Sequence, residues 1–206
     1  MSYRIRLALP EDAPAIASIY APFCTDTPVS FEMAAPCADE MAQRIRHITG
    51  HLPWLVLEHD QNIGGYVYAS LHRERAAYQW AVDVTAYISP YYRGKGIGRA
   101  LYTALFDMLV QQGYFIACAG ITLPNDASIG LHSAMGFEPA GIYRGVGYKL
   151  GAWHDVAWYT MALQSQRAEP IPPRAIQEIV KTSGWADAIS RGEALLNINQ
   201  LMQNKI

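Results

Sequence analysis

The chain is expected to fold as α+β, with a mixed central sheet of about seven strands flanked by helices and a short helical C-terminal appendage. Three observations predict this. Strand-length segments recur along the chain, stretches with apolar residues at helical spacing separate them, and beyond Gln164 the pattern changes to prolines followed by further helical pattern. At 206 residues the length suits one ordinary domain plus a tail. The boundaries are drawn at 1–165 for the domain and 166–206 for the proline linker and helical tail.

Arg4 to Leu9 alternates like a half-buried strand, and Pro10-Glu11-Asp12 opens a helix whose apolar face is Ala13, Ile16, Ala17, Ile19 and Tyr20. A second helix is expected from Ala38 to Thr49, ended by Gly50 and Pro53. Trp54–Glu58 and Ile63–Leu71 read as strands across the turn Asp60-Gln61-Asn62. Tyr78 to Ser89, rich in aromatic and β-branched residues, reads as one long strand ended by Pro90. Residues 98–112 place Leu101, Leu105, Met108 and Leu109 at helical spacing, with Gly113 just past the end. Phe115–Ile121 returns as a strand, Pro124-Asn125-Asp126 starts a helix through Met135, and Gly141–Tyr148 and Asp155–Leu163 complete the sheet. Pro170, Pro172 and Pro173 stiffen the linker, and helical stretches near Arg174–Lys181 and Trp185–Met202 follow. Their apolar stripe, Ile176, Ile179, Val180, Trp185, Ile189, Leu195 and Leu196, should dock on the chain's own domain or else on a second subunit.

Composition limits the partners. A chain that is 51% hydrophobic and 17% charged is globular rather than disordered. A net charge of -2 offers no basic field for nucleic acid or an anionic membrane, so a small molecule is the expected partner. Cys24, Cys37 and Cys118 form no Cys-x-x-Cys pair, so no metal site is read, and buried free thiols are expected. No run approaches 18 apolar residues and the start of the chain lacks a signal-peptide core, which together imply a cytoplasmic location.

The most informative segment is Arg93-Gly94-Lys95-Gly96-Ile97-Gly98, between an expected strand and an expected helix. Its glycines let the backbone approach a ligand closely, and N–H groups at the positive end of a helix suit a pyrophosphate. Arg93 and Lys95 add charge. A dinucleotide turn would need glycine where Arg99 stands, and a Walker A loop would need Gly-Lys-Ser/Thr at its end, so neither fits. Further on, Asn125 reads as an N-cap and His132 as a helix-surface histidine.

The Arg93-x-x-Gly96-x-Gly98 arrangement resembles the pyrophosphate signature of the GCN5-related N-acetyltransferase (GNAT) superfamily. Leu131-His132-Ser133-Ala134-Met135-Gly136-Phe137 resembles a second pattern of that superfamily, with His132 where most members carry Tyr. With Tyr78-Gln79-Trp80, Tyr87-Ile88-Ser89-Pro90, Gly120–Asp126, Gly147–Asp155 and the proline tail, the chain over about residues 3–175 is similar to the phosphinothricin N-acetyltransferase and methionine sulfone/sulfoximine acetyltransferase family.

The resemblance implies a GNAT fold, acetyl-CoA as co-substrate without a metal, direct acetyl transfer to a small amino-acid-like amine, and a homodimer. It implies Asp83 as base, where the family has Glu, and His132 as hydrogen-bond or proton donor to the coenzyme A sulfur. It places Arg93, Gly94, Lys95, Gly96, Ile97 and Gly98 on the pyrophosphate and Asn125 and Ser128 beside the pantetheine. Backbone groups of Ala86, Tyr87 and Ile88 should be freed by a strand splay after Tyr87. Phe31, Arg75, Tyr78 and Trp80 are the substrate candidates, Arg75 for a carboxylate. Trp153-His154-Asp155 reads as structural hairpin. A protein N-terminal acetyltransferase and a non-catalytic coenzyme A-binding module remain the rivals; retention of both Asp83 and His132 counts against the module.

Overall fold

The computed structural model describes residues 3–203. Residues 1–2 of the expected domain and 204–206 of the expected tail lie outside the described residues. In chain order the elements are β1 (Tyr3–Leu7), α1 (Ala13–Thr25), α2 (Ala38–Thr49), β2 (Trp54–His59), β3 (Asn62–Leu71), β4 (Ala81–Ile88), α3 (Ile97–Gln112), β5 (Ile116–Thr122), α4 (Asp126–Ala134), β6 (Glu138–Lys149), β7 (Ala152–Ala162), α5 (Ile176–Ile179) and α6 (Ser183–Gln203). The sheet has seven strands in the order β1-β2-β3-β4-β5-β7-β6. All neighbours are antiparallel except β4 and β5.

Both sheet faces are covered, which is why Trp54, Leu55, Val56 and Leu57 of β2 are all buried rather than alternating. On one face α3 packs Leu101, Leu105 and Met108 against Leu55, Leu57, Val67 and Val82. On the other, α1 and α2 pack Ile16, Ile19, Met41 and Ile45 against Trp54, Val56 and Tyr66. Arg6 of β1 ties the first elements together, donating to both Asp12 oxygens at 2.7 and 2.8 Å and to Glu58 at 2.6 Å.

The expected elements are present, with shifted ends. β4 begins at Ala81 rather than Tyr78, because Ala76–Tyr78 turns as a 3-10 segment. β6 begins at Glu138 and β7 at Ala152, earlier than the pattern predicts, since register shifts at Pro139/Gly141 and Tyr143/Gly147 break the alternation that marks a strand. Cys24 and Cys118 are buried as expected, but Cys37 is exposed, because it stands at the N-cap of α2.

The tail docks on its own domain. Ile176, Ile179, Trp185, Ala188 and Leu196 are buried in the α3-side core, and α6 is built against α3 and β1. Gly192 permits this closeness, since a Cβ there would stand 2.7 Å from the Ala100 carbonyl oxygen. Glu193 accepts from the Ile5 N–H at 2.7 Å, capping part of the open edge of β1, and Arg191 bonds Asp107 at 2.6 Å. With Trp185 only 8% exposed, Trp185→Ala should cost about 3–5 kcal/mol of stability. A urea titration checks it, and an unchanged midpoint would show that the tail contributes nothing to the fold.

Candidate active site

The site is organised by the way β4 and β5 part. Their parallel pairing covers only Ala81–Ile116, Val82–Ala117 and Asp83–Cys118. Beyond it β4 stays paired to β3 as far as Ile88, while β5 turns away and pairs with β7 as far as Thr122. The splay therefore starts after Asp83, four residues earlier than expected, and the β5-facing edge of β4 lacks a strand partner from Val84 onward. The cleft between the strands is lined by Val84, Thr85, Ala86 and Tyr87 on one side, Ala119 to Thr122 on the other, and Asn125, Ser128, His132 and Tyr102 beyond them.

At the far end of β4 the chain passes through a 3-10 turn, Pro90–Tyr92, into the glycine segment. Gly94 and Gly96 have φ of 73° and 79°, left-handed values that only glycine adopts without strain, and Gly96 is the N-cap of α3. The first N–H groups of a helix have no acceptor within it. Here they open beside two basic residues: Arg93, whose guanidinium lies 5.6 Å from the Phe23 ring and whose Nε donates to the Ile88 carbonyl, and Lys95, whose Nζ lies over the Tyr92 ring at 5.2 Å. Gly98 admits Leu131 of α4, since a Cβ would meet its Cδ2 at 3.0 Å. The positive helix end and the two cations together make this turn suited to an anion.

Asn125 caps α4 as expected, its Oδ1 accepting from the Ser128 N–H at 3.2 Å. His132, however, is no surface histidine. It is 5% exposed, its Nδ1 is 2.8 Å from the Ser128 carbonyl, and its Nε2 is 3.1 Å from the Tyr102 hydroxyl. A carbonyl only accepts, so Nδ1 carries the proton and Nε2 accepts from Tyr102. Burial holds the imidazole pKa below its ordinary value and so favours this neutral form, opposed by the Ser128 bond, which favours the charged one. Both ring nitrogens are thus engaged within the protein, and the cleft-lining Tyr102 hydroxyl stands with His132 as a pair. Tyr102 carries no signal in the sequence, where the apolar face of α3 is read from Leu101, Leu105, Met108 and Leu109.

Asp83 sits at the apex of the splay. Its Oδ1 is 2.6 Å from His72 Nδ1. Burial pushes its carboxyl pKa up, opposed by the His72 hydrogen bond and by the charges of His72 and Arg73. His72 was not singled out from the sequence. The register Ser70–Asp83 and Leu71–Val82 places it on the same sheet face as Asp83, but the connection between the strands is too long for its sequence to fix that register. Cys118 completes a group whose ligand-type atoms all lie within 4.8 Å of one another. Burial pushes its thiol up to about 11, so it stands protonated beside the Asp83–His72 hydrogen bond at neutral pH.

The substrate candidates separate. Tyr78 stands edge-on to His72 at 5.8 Å, and with Leu71 to Arg75 it lines a groove outside the dyad, so Arg75 belongs to that groove. Arg73 lies nearer the reaction centre, 5.7 Å from the Trp158 ring. Phe31 lies against Gly147, where a Cβ would come within 2.2 Å of its ring. Trp80 lines a neighbouring pocket with Tyr78 rather than the Arg75 groove, and its Nε1 donates to the Ile171 carbonyl at 2.9 Å, which anchors the proline linker. The hairpin reading holds for the segment after Gly147. Lys149 is buried and caps the Ser30 and Phe23 carbonyls, His154 Nε2 bonds the Lys149 carbonyl at 3.0 Å, and Asp155 holds Arg144 and the Gly145 N–H.

Known proteins share this arrangement. Residues 5–158 match the family model described as "Acetyltransferase (GNAT) domain". Phosphinothricin N-acetyltransferase of Streptomyces viridochromogenes is 33% identical over 177 residues, 86% of this chain and 94% of that protein. The L-methionine sulfoximine/L-methionine sulfone acetyltransferase of Pseudomonas aeruginosa is 30% identical over 177 residues, 82% of this chain and all of that protein. Among solved structures, a GNAT superfamily phosphinothricin acetyltransferase from Sinorhizobium meliloti in complex with AcCoA superposes with a TM-score of 0.77 at 33% identity, covering 85% of this chain and 99% of that one. A glycine turn opening α3, a cleft between parting parallel strands and a capped α4 on its far wall are the parts of an acyl-CoA site, and with these matches the chain belongs to the GNAT family of acetyltransferases.

Proposed function

We propose that this chain moves the acetyl group of acetyl-CoA onto the amino group of a small amino-acid-like substrate of the phosphinothricin, methionine sulfone or methionine sulfoximine type, by direct attack. The observation that carries the reading is the cleft opened by the β4–β5 splay, with the glycine turn that starts α3 following β4 and the Asp83–His72 pair at the residue where the two strands part. The pyrophosphate belongs on the N–H groups of residues 94–98 with Arg93 and Lys95. The pantetheine, itself an amide chain, suits the unpaired edge of β4 at Ala86, Tyr87 and Ile88, with Asn125 and Ser128 opposite. No metal is required by this chemistry.

The amine nitrogen then meets the thioester carbonyl at the apex, where a proton acceptor is at hand at Asp83 and its partner. For the leaving sulfur, the Tyr102–His132 pair on the cleft wall relays a proton, the Tyr102 hydroxyl turning its one hydrogen from His132 Nε2 to the sulfur and regaining one from the acylated nitrogen. Arg75 or Arg73 takes the substrate carboxylate, Tyr78 lines the same groove, and Phe31, against Gly147, is the further wall. The two guanidinium groups favour a carboxylate-bearing amine. A net charge of -2 favours neither nucleic acid nor an anionic membrane surface, and no helix among the described residues is long and apolar enough to cross a membrane; a cytoplasmic location fits both.

A homodimer belongs to the same proposal. The outer sheet edge formed by β6 and β7 exposes Tyr143, Val146, Tyr148, Leu150 and Trp153, the last 69% exposed, an apolar surface of the kind that a second copy covers by two-fold symmetry. Trp153→Asp should then shift the protein toward the monomer in sedimentation, and an unchanged dimer, or a parent that is already monomeric, sinks this assignment.

Acetyl-CoA at 100 times its dissociation constant should add about 2.7 kcal/mol to the unfolding free energy, and NAD nothing. Arg93→Glu should weaken acetyl-CoA at least about tenfold, a loss of about 1.4 kcal/mol. Thermal shift and calorimetry decide both, and equal stabilisation by NAD refutes the cofactor. Tyr102→Phe and His132→Ala should each lower turnover by up to about 10²-fold with the KM for the amine near parental, because water can also protonate a thiolate. Parental turnover in both variants, measured by thiol release, would remove the pair from the reaction.

A further inference from the structure

A carboxylate of ordinary pKa near 3.9 is a weak acceptor for an ammonium proton at neutral pH, whereas an imidazole, ordinarily near 6.5, is matched to taking that proton and releasing it to solvent. The two groups stand together here. His72 follows the last residue of β3, and its backbone N–H reaches the Ala81 carbonyl, so its ring falls on the same sheet face as Asp83. Nδ1 is 2.6 Å from Asp83 Oδ1, while Nε2 makes no hydrogen bond among the described residues. The edges of Tyr78 and Trp158, with ring centroids at 5.8 and 5.9 Å, fix the plane of the imidazole. His72 also lines the groove that Arg73 and Arg75 share.

We propose that His72 is the general base of this enzyme and that Asp83 is a positioning residue. The inference rests on the acetyl-transfer reading given above. A carboxylate only accepts, so Asp83 holds the proton of His72 on Nδ1 and leaves the lone pair of Nε2 as the acceptor. Nε2 takes one proton from the substrate ammonium, and the resulting imidazolium is stabilised by Asp83. The freed nitrogen lone pair forms the bond to the thioester carbon, and the tetrahedral adduct collapses with the C–S electron pair leaving on sulfur. The second nitrogen proton neutralises the thiolate, and His72 returns its proton to solvent, so one proton is released per amide formed. The charged and titratable groups around the ring are Asp83 on β4, Cys118 on β5, and Arg73, Glu74, Arg75 and Tyr78 in the connection.

The test compares the parent with His72→Gln, Asp83→Asn and the double variant, following thiol release from acetyl-CoA with L-methionine sulfone from about pH 5 to 9. Gln keeps a hydrogen bond to Asp83 but cannot take a proton, and Asn turns the imidazole to the wrong tautomer. Each single variant should lose about 10²–10⁴-fold in kcat with acetyl-CoA affinity unchanged. The double variant should lose no more than the worse single, because the two act as one unit. The acid limb of the parent profile should disappear in His72→Gln. A His72→Gln enzyme retaining more than about a tenth of parental kcat with its acid limb intact, or losses that multiply in the double variant, overturns the proposal. Nitrogen-15 shifts of the His72 ring in the parent give a readout independent of turnover: a protonated Nδ1 with a bare Nε2 supports the assignment, and the opposite tautomer refutes it. Should the parent release no thiol with any amine, the acetyl-transfer reading fails, while the ring shifts still decide the state of the dyad.

Discussion

Everything in this site follows from two parallel strands that pair for three residues and then separate. Parallel strands ordinarily continue until a loop ends one of them, and an edge left unpaired inside a protein is costly. Here β4 is held by β3 on one side and β5 by β7 on the other, so each strand keeps one ladder while giving up the shared one. The unpaired edge is thereby aimed into a cleft, where a ligand's own amides can satisfy it. Asp83 and Cys118, the last pair before the parting, mark where one strand's acid and its neighbour's thiol are forced into contact.

The cofactor end and the reaction end of the cleft use different physics. At the glycine turn, fixed backbone dipoles and two exposed cations make an electropositive surface open to water. At the apex, burial dominates: it pushes Asp83 up, Cys118 up and His132 down, in each case disfavouring the charged form. Neutral Cys118 and neutral His132 leave few competing charges beside the reacting groups. The bonds that survive there, Asp83 to His72 and Tyr102 to His132, are each made between residues on different elements, so the site stiffens as the fold closes.

The outer wall depends on an unusual buried lysine. Lys149, at the end of β6, gives its ammonium to the carbonyls of Ser30 and Phe23, pinning the loop between α1 and α2 over the sheet. Ser30 continues the network to Tyr20, whose hydroxyl is 3.1 Å from Glu32, and Glu32 takes Arg44 of α2 in a two-point bond. Phe31 rides on that loop against Gly147, so a change in the β6–β7 hairpin would be felt at Phe31.

The sequence by itself determined what is local. The apolar periods set the helices and strands, the φ demanded of Gly94 and Gly96 set the turn that opens α3, and Asn125 capped α4 through a bond spanning three residues. It also carried the family resemblance, because a phosphate turn and a capped helix are short motifs whose chemistry is complete within them. Tertiary structure alone decided which side chains meet. His72 reaches Asp83 only through a hairpin register that an irregular connection hides, and Tyr102 reaches His132 only because Gly98 lets α4 lie close to α3. Trp80, a plausible pocket aromatic in sequence, is drawn away by a hydrogen bond to Ile171, which is 91 residues distant. Register, helix approach and long-range hydrogen bonds depend on the packing of the whole chain, and no local pattern encodes them.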